Sequence, residues 1–287
     1  MKKNSIPFLV LAIIHGIILI ITLRKKGKST YTLLTIGIGA AYVFEYFVLN
    51  VFKMYKYYPK VFKNKWIDSV FGAVLSQAVF VPIAATVLTL FNQGWRARIL
   101  VSLVYGAIER IFIKLNIFSN DKWSTWYTVG AMPVYFYVIN KWWRGLQHGN
   151  KIIHWFSLML CIWISYTNVF FVALAGFRKY RFRVRLVRDR YWDHFIVLPL
   201  YTLLAGIVGT VNTIHLPKAF KWCGVLFMHL IDQTLYHCKI IKPTSRISLY
   251  LLIPIHSVIL LFGEYYRKLM KNEHHQSKEI TSKKLSD

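Results

Sequence analysis

The sequence predicts an all-α, polytopic helical membrane protein, and three observations carry that fold class. Of 287 residues, 56% are hydrophobic and 17% aromatic, and the mean hydropathy is +0.41. Only 11 residues are acidic, too few for the polar surface of a soluble domain of this size. The apolar residues gather in runs, several of them long enough for the about 20 helical residues that a bilayer crossing needs. Lys and Arg, 37 in all, give a formal charge of +26 but fall in short gaps between runs. That distribution points to a bilayer with anionic headgroups and against nucleic acid. About nine hydrophobic helices are expected, or seven if the fourth and eighth runs fail to span.

The first run, Ile6 to Leu23, lies between Lys2-Lys3 and Arg24-Lys25-Lys26. It is longer than a typical signal-peptide core and no small-x-small site precedes the basic cluster, so 6–23 reads as a retained helix. The second, Tyr31 to Phe52, carries Gly37, Gly39, Ala40 and Ala41, which permit close helix approach. It also carries Glu45, about 10 Å of helix from the nearer end. Such a carboxylate is either bonded for structure or part of a polar pathway. Loop 53–66, rich in Lys and Tyr, suits the headgroup level. Asp68 is expected to cap the third helix, which runs to about Phe91. Inside it Gln77 needs a partner, and Pro82 frees a carbonyl one turn earlier, predicting a kink.

The fourth run, Ile99 to Phe118, takes Glu109, Arg110 and Lys114 with it. Neighbours on a helix point about 100° apart, so Glu109 and Arg110 do not pair face to face. Arg110 and Lys114 have stems long enough to snorkel, whereas a charged Glu109 among lipid would cost about 2.5–3.5 kcal/mol. Glu109 is therefore expected to face the bundle interior, bonded to Gln77, Glu45 or Asn168 or held in a salt bridge. An interfacial course for this run is the alternative. Glu109, Glu45, Gln77 and Arg110 are the candidates for an ion or substrate pathway.

The fifth run, Trp123 to Asn140, has tryptophans at both borders, and the sixth, Ile152 to Phe177, carries Asn168. Seven cations follow within residues 178–190. Arg181, Arg183, Arg185 and Arg188 there suit lipid phosphate on the cytoplasmic side, with Phe182, Val184 and Leu186 dipping into the acyl region. Runs seven to nine are Trp192–Ile214, Trp222–Tyr236 and Ile247–Tyr266. Residues 1–270 read as one membrane-embedded domain, and 271–287 as a polar, disordered tail. Lys and Arg divide almost evenly between the two sides of a nine-helix arrangement, so charge counting leaves the orientation open.

The chain also repeats itself. Asp68, Glu109, Pro133 and Trp142-Trp143-Arg144-x-Leu146 recur as Asp193, Asp232, Pro254 and Tyr265-Tyr266-Arg267-x-Leu269. These spacings predict a tandem pair of four-helix units, 31–147 and 152–270. The halves diverge at charged positions: Arg110 falls opposite Gln233 and Lys114 opposite His237.

The string Tyr57-Tyr58-Pro59, Asp68, Ser76-Gln77, Val81-Pro82 and Ile108-Glu109-Arg110 resembles a family of uncharacterised multi-spanning membrane proteins of endospore-forming Firmicutes. The likeness covers about residues 31–147. It implies a bacterial cell-membrane location and no particular reaction or ligand.

HExxH, GxSxG and P-loop motifs are all missing from the sequence, as is a paired-carboxylate signature. His229 and Asp232 share a helix face, and His237 follows. With Asp193-His194 or His256 they form the weak candidates for a metal site. Three cysteines in unpaired positions suggest small buried hydrophobes and no disulfide framework. The sequence thus supports a non-enzymatic transport or channel component, or a membrane scaffold or assembly factor. A metal-dependent intramembrane enzyme is the alternative. No cofactor is expected, and an oligomer or membrane-protein partner remains open.

Overall fold

The computed structural model describes residues 3–177 and 180–286, without the side chains of 218, 246 and 276–286. Within the expected single domain two compact units are distinguished, one reaching Asn150 and including the segment from Glu273, the other Lys151–Asn272. The first contains α1 (Ser5–Lys26), α2 (Lys28–Glu45), β1 (Lys56–Tyr57), α3 (Lys65–Val74), α4 (Val81–Leu90), α5 (Trp95–Lys114), β2 (Phe118–Ser119) and α6 (Thr125–Gln147). The second contains α7 (Lys151–Ala175), β3 (Tyr180–Phe182), α8 (Arg190–His215), α9 (Trp222–His237), β4 (Ile241–Pro243), α10 (Arg246–Tyr250) and the start of α11 (Leu252–Ser286). The chain is all-helical apart from two short ladders.

Among the described residues the nine expected runs are nine long helical rods, of which six are long and apolar enough to cross a membrane. Those six are Ser5–Lys26, Lys28–Val51, Lys65–Leu90, Lys151–Ala175, Arg190–His215 and Ile247–His275. Of the others, α5 carries too many charges, α9 has 16 residues, and α6 is diluted by Tyr and Trp.

The ladders fix the course of the doubted runs. In the first unit α3 and α4 lead away from β1, and α5 must return the same distance for Tyr57 to pair Phe118 and Lys56 to pair Ser119. At that end Asn4 and Ser5 donate to the carbonyls of Tyr58 and Pro59. At the other end Lys26 lies over the Phe91 ring, Ser29 donates to Glu273, and His274 bonds the Gln147 carbonyl. In the second unit the β3–β4 pairing makes α9 return alongside α8 in the same way. The polar segment read as a disordered tail continues as helix to Ser286, and the bond to Ser29 anchors its first turn.

One local device builds both loops. Asn64 caps α3 by accepting from the N–H groups of Trp66 and Ile67, and Asp189 caps α8 from Tyr191 and Trp192. Asp68 is therefore not the cap. Its carboxylate instead collects the N–H groups of Lys60, Val61 and Phe62 from the preceding loop, at 2.7–2.9 Å. Asp193 does the same for Val184, Arg185 and Leu186 at 2.8–2.9 Å. Each loop turns through a left-handed residue, Lys60 at φ 54° and Arg185 at φ 70°. Beyond α5 and α9 the chain turns through Asn116 and Lys239, again left-handed, and the Ile117 and Ile240 carbonyls then accept from Tyr58 and Arg183. At these loop positions the two units share the same local geometry.

Gly72 shows how tightly the first loop is held. A Cβ there would meet the Tyr57 Cβ at 2.3 Å, so β1 must move to admit it. Gly72→Ala is expected to cost about 1–3 kcal/mol by overpacking, read as a lower melting temperature in detergent; an unchanged melting point would refute the close packing of β1 on α3.

Candidate functional site

The kink expected at Pro82 takes a specific form. The missing proline N–H leaves the preceding turn without its usual donor, and Leu75–Phe80 is wound as a π-helix. A second π-helical turn, Tyr46–Val51, follows α2. Glu45 lies at the edge of one and Gln77 within the other, and they meet. Gln77 Nε2 donates to Glu45 Oε2 at 3.0 Å, and the Tyr55 hydroxyl donates to the same oxygen. Glu45 Oε1 is buried with no hydrogen-bond partner among the described residues. Burial pushes the phenols of Tyr55 and Tyr57 well up, with Glu45's charge adding to the effect. Both therefore stay neutral O–H groups at ordinary pH.

Tyr55 and Gln77 form part of the wall of a cavity of about 190 Å³. Its lining includes the rings of Tyr55, Tyr57, Phe118 and Trp123, with neighbouring centroids 5.0–5.6 Å apart. Glu109 also lines it. The Glu109 carboxylate accepts from Thr125 Oγ1 at 2.8 Å and from Thr128 Oγ1, both on α6. Gly106, one turn before, permits that approach, since a Cβ there would lie 2.6 Å from Val129. Deeper in, Tyr105 donates to the Phe80 carbonyl and Tyr135 to that of Gly37. On α6 the lining runs from Thr128 to Tyr135, seven residues on, so the cavity extends roughly 10 Å along that helix.

Glu109 faces the interior of its unit, but its partners are the two threonines and not Gln77 or Glu45. Threonines three apart on one helix face reach both carboxylate oxygens, while Gln77, on its π-helical turn, is turned to Glu45. Arg110 is exposed and does not line the cavity. Tyr55 and Tyr57, read from sequence as headgroup residues, are instead buried or half-buried in the wall. The Thr125-x-x-Thr128 spacing was the available sign of a carboxylate's partner.

The first unit's loop also carries an exposed ion pair, Lys56 with Asp121 at 2.6 Å. The hydrogen bond from Lys56 holds the Asp121 carboxyl below its usual range, and Asp121 in turn raises Lys56. With side chains 41% and 42% exposed, the pair contributes at most about 1 kcal/mol. That contribution is present above the ordinary carboxyl pKa and is lost as pH falls through the lowered one.

In the second unit Asp232, which the sequence spacing sets opposite Glu109, stands in different surroundings. Asp232, fully buried, accepts from the Tyr201 hydroxyl at 2.6 Å and bonds His256 Nε2 at 2.7 Å, while His256 Nδ1 meets the Tyr166 hydroxyl at 3.0 Å. The metal candidates do not converge on it. His229 bonds Gln233 and packs on Tyr250, and His237 is exposed. Among the described residues no three His, Cys, Asp or Glu side chains form a metal-binding group. Of the arginines, Arg185 and Arg188 are exposed beside Val184 and Leu186, while Arg181 packs on the Tyr191 ring and Arg183 is half-buried. Phe182 does not dip outward; it is buried against Tyr201 and Phe170. Arg178 and Lys179 lie outside the described residues. Comparison with protein-family models, curated proteins and solved structures finds no match.

Proposed function

We propose that this is a multi-pass protein of a bacterial cytoplasmic membrane, and that its first unit binds a small solute in the cavity beside Glu109 as part of transport. Membrane embedding is supported by the six long apolar helices and by their outward faces. On α1, Ile13, Ile17 and Ile20 are each 53% exposed, a stripe that water would penalise and lipid would accept. The matching caps, ladders and aspartate clasps support duplication of a four-helix unit behind one leading helix.

The observation that carries the transport reading is the cavity itself, an apolar chamber with a carboxylate and an amide set in its wall. A scaffold gains nothing from such a void, which costs packing energy, and a binding site requires one. Flux of a panel of small amines, amino acids and alkali cations into liposomes carrying the purified protein tests it. Acceleration by the intact chain and its loss in Glu109→Gln are expected; flux no faster than in empty liposomes would end the transport reading.

If the ladder of the first unit sits at one membrane face, single cysteines at Asn116 and Asp121 in a cysteine-free background label from the same side. Asn92 labels from the opposite side. Asn116 labelling together with Asn92 would mean that α5 does not cross. The arginine-rich loop is proposed to lie at the cytoplasmic leaflet, with Arg185 and Arg188 on lipid phosphate. Protease added outside intact cells is expected to leave it uncut, and cleavage there would reverse the orientation.

A further inference from the structure

We infer that the cavity of the first unit takes a small organic cation, a quaternary ammonium or protonated amine. This rests on the solute-binding reading given above. The first ground is charge. In a chain with 37 Lys and Arg residues, none of the described residues lining this cavity is Lys, Arg or His, and one is a glutamate. Among the described residues Glu109 receives two threonine hydroxyls and forms no ion pair, so any negative charge it carries has no close counter-charge there. An anionic ligand would meet that carboxylate with no counter-charge to offset it.

The second ground is the wall. Tyr55 stands nearly perpendicular to Tyr57 at 78° and to Trp123 at 86°, with centroids 5.6 Å away in both cases. Phe118 lies 5.3 Å from Tyr55 and 5.0 Å from Tyr57. Mutually tilted rings offer π faces from several directions, the arrangement that attracts a dispersed positive charge through the ring quadrupoles. A bare inorganic ion would instead need a shell of oxygens, which this mostly apolar lining lacks.

The third ground is size. A dry cavity of about 150 Å³ admits a benzene-sized molecule, and this one is about 190 Å³. Choline, with only a little more bulk than benzene, fits that space with its methyl groups on the rings and its charge toward Glu109. The Tyr135 oxygen in the same wall, whose own O–H goes to the Gly37 carbonyl, is able to accept from the choline hydroxyl.

The test uses the full chain in detergent or nanodiscs and equilibrium dialysis of labelled choline. Its comparison is the neutral isostere in which carbon replaces the quaternary nitrogen. Choline is expected to bind on the order of tenfold more tightly than the isostere. Glu109→Gln, checked for monodispersity, is expected to remove most of that preference. Equal binding of choline and isostere by the intact protein would overturn the cation assignment and leave a neutral-solute pocket standing. Binding of neither would overturn the pocket as a solute site altogether. Because the isostere comparison needs no variant, it decides the question even if Glu109→Gln fails to fold.

Discussion

Replacing Asp193 by alanine is expected to destabilise the second unit by about 3–5 kcal/mol and to release the loop before α8. Three backbone N–H groups converge on that one buried carboxylate, and hydrogen bonds to a charged acceptor contribute about 1.5–3 kcal/mol each, though not additively. Alanine leaves all three donors without their partner and Arg185 in a left-handed conformation with nothing to hold it there. Asp193→Asn separates the contributions, because one amide oxygen can keep at most two of the three donors, and it should cost about half as much. Asp68→Ala should act in the same direction in the first unit. The readouts are melting temperature in detergent and the rate of tryptic cleavage at Arg183, Arg185 and Arg188, which local release accelerates. If Asp193→Ala melts and is cleaved like the unaltered protein, the clasp does not organise the loop.

This clasp also marks where the sequence was legible and where it stopped being so. Helices were readable because apolar runs of bilayer length have few other structures available to them. The correspondence of Asp68 with Asp193 was visible as a spacing, but the role inferred for it was wrong. An aspartate in a first helical turn suggests a cap, and only the backbone course shows that Asn64 and Asp189 already occupy the cap positions. Glu109 was recognisable as a residue needing a partner because a buried charge is costly. Its partner was not, since which face of α6 meets α5 depends on a close approach at Gly106 that hydropathy does not encode. The cavity was invisible for a related reason: Tyr55 and Tyr57 look like interfacial residues until the β1–β2 ladder folds their loop inward. The π-helical turns that bring Gln77 to Glu45 have no sequence signal beyond Pro82.

Asp232→Ala is expected to cost about 3–5 kcal/mol of stability, whereas Glu109→Ala should cost under about 1.5 kcal/mol while weakening choline binding on the order of tenfold. The difference follows from what fills the space. Eight residues beyond the clasp aspartate, the first unit has Ser76 and the second Tyr201. Ser76 leaves a cavity beside Glu109, whereas the Tyr201 hydroxyl reaches Asp232 and, with His256, occupies both of its oxygens. Removing Asp232 strands two donors in a site with 0% exposure at Asp232 and His256, each an unsatisfied group costing about 1–3 kcal/mol, with a void added. Removing Glu109 frees two threonine hydroxyls beside an existing cavity, where Thr128 keeps the indole N–H of Trp123 and is able to turn back to the Ser124 carbonyl. One site thus keeps a chamber, and the other is filled by a tyrosine and a histidine. A cycle of Asp232→Asn, Tyr201→Phe and the double substitution should give a coupling of about 0.5–3 kcal/mol in melting experiments. Near-zero coupling, or a Glu109→Ala variant as unstable as Asp232→Ala, would show that the two units do not divide their roles in this way.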